Sequence, residues 1–428
     1  MKTIIRFFSM LALVGGIAVT GALAQNPCDD VDTPTAQYTT FTEQWTPIDA
    51  TLKQSKPPAR EGVQTAINTG KAFIEKWGNC EAWAQQSKFV TAQVKRFENV
   101  IVELGNYELG QRIDKAINSD NTAEIYTVGK EILAKNPNDA SVQYVLSVAA
   151  LREIAKNPPV NTYNADALRY AKQLLDQAKA GSLKYRKNDK GQDILGILKY
   201  TILPADVQSE LLYTLGYIHY YGQKDRKTAL PYFYQATQAP GFRKEFAPIY
   251  AAIGANYIDE AAPIGAQIAD LITKLRAATT DDEKMKLDAE IKQKEALFNG
   301  YTERAMDAFA RAAKFAKADS PAGQQYKKGL EDEVKRLYKI RFEKDAGVEQ
   351  WVATSTAKPL PDPTSPVQPV SDPEPTTTTT TTGAGTGVGA ANGSGVGAAN
   401  GKGVGAANGT GVGNAAAAKT ATAKPAKP

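Results

Sequence analysis

The chain has 428 residues, 42% hydrophobic and 23% charged, with one His, two Cys and a formal net charge of +5. One His and two Cys exclude a His-based triad with spare His ligands, a His₂ or Cys₄ zinc site and an iron–sulfur cluster within one chain. Lys2 and Arg6 carry two of the five formal charges, and the tail lysines outweigh Asp362, Asp372 and Glu374 by two more, so the body is left near +1. A body so balanced has no global field for nucleic acid, and no nucleic-acid partner is expected.

In chain order, residues 1–24 read as a secretory signal. Lys2 and Arg6 form the positive region, Phe7 to Thr20 the apolar run, and Ala22-Leu23-Ala24 a small-x-small cleavage site before Gln25. The run is short for a membrane span of about 20 residues. The mature chain is expected to be exported, periplasmic or extracellular, and not transmembrane after cleavage. Cys28 follows Pro27 and lacks the small residue that lipoprotein signals place before their cysteine. In an oxidising compartment Cys28 and Cys80 read as one disulfide, with two buried free thiols as the alternative. The only His, His219, is far from both in sequence and offers neither an activating base. Residues 25–105 read as an N-terminal helical region carrying Trp45, Trp77 and Trp83.

From 106 to 320 the texture is Ala, Leu, Lys, Glu and Tyr at three- and four-residue spacing, which is helical. Asn136-Pro137-Asn138-Asp139-Ala140 ends one helix and caps the next. Leu146-Ser147 with Ala167, Ala171 and Leu174 begins a recurring pattern. It returns as Leu215-Gly216 with Ala229, Phe233, Ala236 and Pro240, and again as Gly254 and Tyr257 with Ala305, Phe309 and Ala312. Small residues there admit a close helix approach, and the Phe fills the gap. This order resembles the tetratricopeptide-repeat (TPR) family and exported bacterial TPR proteins of unknown function. The best copy, about 209–240, has one extra residue between its helices and places His219 where the family has Tyr. The resemblance implies an all-α, TPR-like superhelix of helical hairpins. Its first helices would line a groove for an extended peptide, formed by Tyr144, Leu151, Arg152, Tyr213, Tyr217, Tyr220 and Tyr221.

Within the third copy lies an insertion at about 260–300. Ile264, Ile268, Leu271 and Leu275 form one stripe, and Leu287, Ile291 and Leu297 or Phe298 another. Thr280-Asp281-Asp282-Glu283 is a capping box between them. The pattern predicts a projecting helical hairpin, either a spacer or a partner-binding or dimerising arm. Residues 321–354 read as capping helices. From 355 to 428 the chain turns to Pro, Thr, Gly and Ala, with no aromatic after Trp351, and is expected to be a disordered tail. Its octapeptide repeats from Gly385 are Gly-rich, but Lys402 is not followed by Ser or Thr as a phosphate loop requires. The tail is expected to act as a spacer or to make weak contact with cell-wall polymer.

No constellation for catalysis emerges. His219 stands alone on a predicted helix, and Asp259-Glu260 and Asp281-Asp282-Glu283 read as solvated faces. Asp29, Asp30 and Asp32 lack the Gly and terminal Glu of a calcium loop. Neither a catalytic residue, a cofactor nor a metal is expected. The chain reads as an exported, non-enzymatic scaffold binding an unidentified protein or peptide partner in the cell envelope. The alternatives are a self-assembling structural envelope protein and a carboxylate-dependent cell-wall hydrolase.

Overall fold

A computed structural model describes residues 27–371. Residues 1–24, expected to be a secretory signal, and the Thr-, Gly- and Ala-rich repeats lie outside the described residues. Those described form an all-α protein with one small sheet, divided into two compact units at Gln111 and Arg112.

In the first unit, α1 (Asp32–Lys53), α2 (Arg60–Trp77) and the start of α3 (Ala84–Asn118) share a core of Phe41, Phe73, Trp77 and Phe97. The sequence of α2 dictates its buried face: Val63, Ala66, Ile67, Gly70, Phe73 and Trp77 recur at helical spacing. Gly70 permits close approach, since a Cβ there would lie 2.9 Å from the Phe41 ring. Cys28 and Cys80 form a disulfide (S–S 2.01 Å) that ties the beginning of the described chain to the segment after α2.

The second unit begins with α4 (Thr122–Lys135), α5 (Ala140–Ile154) and α6 (Asn164–Lys179). It continues through α7 (Pro204–Tyr217), α8 (Arg226–Gln238), α9 (Ala247–Ala277), α10 (Asp281–Phe315), α11 (Pro321–Phe342) and α12 (Val348–Thr356). Side-chain caps set the starts. Asp139 accepts from the Val142 amide, Asp225 from Thr228 and Thr280 from Glu283. Helix pairs interlock through a missing side chain on one partner and a ring on the other. A Cβ on Gly216 would lie 2.5 Å from Phe233, and one on Gly254 would lie 2.8 Å from Phe309. The residue in excess of the repeat pattern falls where α7 ends in a π turn, Ile218–Gly222, the helical form that accommodates an extra residue.

Two features depart from the sequence reading. Between α6 and α7 the chain forms an antiparallel sheet, β1 (Arg186–Lys187), β2 (Asp193–Ile197) and β3 (Tyr200–Ile202), where no strand was expected. Its strands are too short to show a period, yet Leu195 is fully buried. The second concerns the tail. Residues 355–371, read as its disordered beginning, finish α12 and then lie against α10, with Leu360 only 7% exposed. The hairpin at 260–300 is an extension of the α9–α10 pair itself, with Ile268, Leu271 and Ile291 at its centre. Among the described residues no helix is long and apolar enough to cross a membrane.

Candidate functional site

The seven residues expected to line one groove separate into three groups. Tyr144, Tyr213 and Tyr220 are interior side chains, 5%, 7% and 7% exposed. Tyr144 packs under β2, where a Cβ on Gly196 would meet its ring at 2.8 Å. Tyr213 is one wall of a cage around Arg243, whose guanidinium lies 3.9 Å from its ring centre and 4.2 Å from that of Phe246. Inside the cage Arg243 donates twice to Glu210, at 2.5 and 3.1 Å, which pairs two charges that are both removed from water. Tyr220 donates to the Ala252 carbonyl at 3.4 Å. These three tyrosines therefore hold the stack together rather than line a groove. Burial pushes the Tyr144 and Tyr213 hydroxyls well up, consistent with interior positions.

Arg152 is exposed but engaged, paired with Asp120, which also receives Lys199. Leu151, Tyr217 and Tyr221 do come together. α5 supplies the first and α7 with its π turn the other two. All three are half-buried over Ala150, Ile154, Ala167 and Ile218. The Tyr217 and Tyr221 rings lie 4.7 Å apart. Burial, with smaller contributions from neighbouring hydroxyls that include Tyr326 of α11, holds the Tyr221 hydroxyl well above its ordinary value. Burial pushes Tyr326 up to about 12. The arrangement brings two aromatic rings with polar tips beside one aliphatic side chain. His219 stacks flat on Tyr232, ring centres 5.7 Å apart.

The second candidate was not visible in the sequence. Residues 358–371 run along α10 without helix or strand, broken by a turn at Asp362–Ser365, and are gripped chiefly by their main chain. Arg304 donates to the carbonyls of Asp362 (3.3 Å), Ser365 (3.0 Å) and Pro366 (3.0 Å). One turn from it, Asp307 accepts from the Ser355 hydroxyl at 2.6 Å and orients Arg311. Arg311 in turn donates to the carbonyls of Ser355 (3.2 Å) and Lys358 (2.6 Å). At the far end the Val370 amide donates to the Ala296 carbonyl at 2.7 Å, and Asn299 donates to the Val370 carbonyl. Gly300 leaves the space the chain passes through, since a Cβ there would overlap the Gln368 carbonyl oxygen. The available signal was the set of apolar residues, Leu360, Val367 and Val370, inside a proline-rich stretch, together with two arginines seven apart on one helix.

Two surface depressions lie elsewhere. One of about 510 Å³ runs along the exposed side of α6, between Arg169 and Ser182. The other, about 300 Å³ and wholly within the first unit, is lined by Leu52, Pro57, Pro58, Leu104 and Tyr107. The first carries Arg169, Lys172 and Asp176, the last two paired with each other on the exposed face of the helix. Among the described residues no group of three or more His, Cys, Asp or Glu side chains is placed to hold a metal ion. Comparison of the chain with family models, with curated proteins and with solved structures gives no match.

Proposed function

We propose that this protein is an exported, non-enzymatic, TPR-like scaffold of the cell envelope. It binds an extended segment of a partner protein over the surface formed by Leu151, Tyr217 and Tyr221, with Tyr326 beside it. The observation that supports this reading is the meeting of half-buried Tyr217 and Tyr221, from α7 and its π turn, with Leu151 of α5. Such rings give large contact area and lose little rotamer freedom when bound. Export rests on the signal-like residues 1–24. The lysines of the far tail supply a weak, salt-sensitive contact with anionic wall polymer.

The test is capture from an envelope extract by the mature chain, beside the same chain carrying Tyr217→Ala and Tyr221→Ala. Circular dichroism controls for folding. A protein retained by the first and lost from the second supports the reading. Equal retention by both removes the aromatic surface from the account.

A further inference from the structure

The α10 site differs from the aromatic surface in that its occupant is present. What α10 reads is mostly main chain: five carbonyls accept from Arg304 and Arg311, and the Val370 peptide unit is held at both its amide and its carbonyl. Side-chain recognition is confined to buried Leu360, to Val367 beside Gly300, and to the Ser365 hydroxyl at 3.2 Å from Arg304. Pro359, Pro361, Pro363, Pro366 and Pro369 have no N–H to leave unpaired, and they favour an extended backbone before it binds. The segment therefore has the properties of a peptide ligand that happens to be covalently attached.

Its attachment is a short link, which Tyr338 of α11 bonds at the Ala346 carbonyl (3.1 Å). Glu343 and Gly347, at φ 54° and 100°, bracket the link from α11 to α12. None of the residues of α12 is fully buried. The arm from Val348 onward is thus held by the contacts to Asp307, Arg311 and Arg304, by half-buried Trp351 and Val352, and by Leu360 and Val367. A second copy carries the one segment whose fit to this site is established. Exchanging that segment between copies preserves every contact and adds only the cost of association.

We propose that the α10 face is a binding site for a proline-punctuated chain with a turn at its middle, and that residues 358–370 of a second copy fill it in trans, joining copies by segment exchange. This goes beyond the scaffold reading and uses different residues. Wild-type copies satisfy the site in cis and exchange slowly. Association appears when cis occupancy is removed.

Two full-length variants test this. One, Gly300→Val with Arg304→Ala, spoils the site and keeps the segment. The other, Leu360→Asp with Val367→Asp, spoils the segment and keeps the site. Each alone should sediment as a monomer. Their mixture at about 0.1–1 mM, the effective concentration of a short tether, should form a 1:1 complex. Adding Arg304→Ala and Arg311→Ala to the second variant should weaken that complex about tenfold or more. A mixture that sediments only as monomers, with both variants retaining wild-type circular dichroism, overturns the proposal. Should the first variant fail to fold, a synthetic peptide of residues 356–371 replaces it as donor. Saturable binding to the second variant then supports the proposal, and its absence up to about 1 mM overturns it. Tyr217→Ala with Tyr221→Ala, placed in both variants, should leave the complex intact. Its loss there would overturn the assignment to α10.

Discussion

The α7–α8 and α9–α10 pairs are built on one lock and used differently. Each sets a glycine of its first helix against a phenylalanine of its second, Gly216 against Phe233 and Gly254 against Phe309. Each buries alanines beside the ring, Ala229 and Ala236 in one, Ala305 and Ala312 in the other. The first pair then stops. Its first helix ends in a π turn and gives its tyrosines to the core and to one aromatic surface. The second pair runs on for 31 and 35 residues, and the outer side of α10 turns into a channel for the chain's own C-terminal segment. A shared lock fixes how the helices approach. What each pair can bind is set by residues outside the lock.

The comparison breaks most severely if the lock itself is opened. Phe233→Ala and Phe309→Ala should each cost about 3–5 kcal/mol, the range for a phenylalanine removed from a packed core. Phe233, 1% exposed against 8% for Phe309, should be the costlier loss. Denaturant unfolding of the two variants checks both the size and the order. Equal, small losses would mean that the rings are not what fixes the pairs.

Gly300→Ala should sharpen the contrast with much less energy. A helix gains about 1 kcal/mol from such a change in its interior, and here the gain is set against displacement of the segment at Gln368. Melting should move little, while protease cleavage between 358 and 371 should rise. The corresponding Gly216→Ala and Gly254→Ala changes, which drive a Cβ into a ring, should lower melting without exposing that segment.

The mildest expected effect at neutral pH is an alkaline one. Burial raises Tyr144, Tyr213 and Tyr220 around α7, and pushes Tyr250 of α9 up to about 12, from an ordinary value of 10.0. These groups fold in their neutral form. Their contribution is complete below pH 10 and is lost as pH rises through the raised values. Melting temperature should therefore be flat from neutrality to about pH 10 and fall toward pH 12. A fall that begins well below pH 10 would point to other groups.

Much of the helical grammar could be read from the chain because its causes are local. Asp139 and Thr280 sit three residues before the amides they cap, and Gly216 and Phe233 belong to adjacent helices. The tyrosines were harder to place because tyrosine suits a surface and a core equally well. Tyr144 was decided by Gly196 and Tyr213 by Arg243, partners brought in by a sheet and a turn that the sequence pattern did not announce. Leu151, Tyr217 and Tyr221 lay closer to reach, being at the C-terminal ends of two helices whose spacing could be read. The α10 channel was hidden for another reason. Composition averages over a segment, and in 355–371 the abundant prolines masked the few side chains, Leu360 above all, that anchor it.

The claim that α10 holds the C-terminal segment by its main chain is tested most directly by amide hydrogen exchange across residues 358–371 of the full-length protein. In the wild type the Val370 amide, bonded to Ala296 of α10, should exchange far more slowly than in a free peptide of the same sequence. Arg304→Ala should release the protection at Val370. Exchange at the free-peptide rate throughout the wild-type segment would contradict the account.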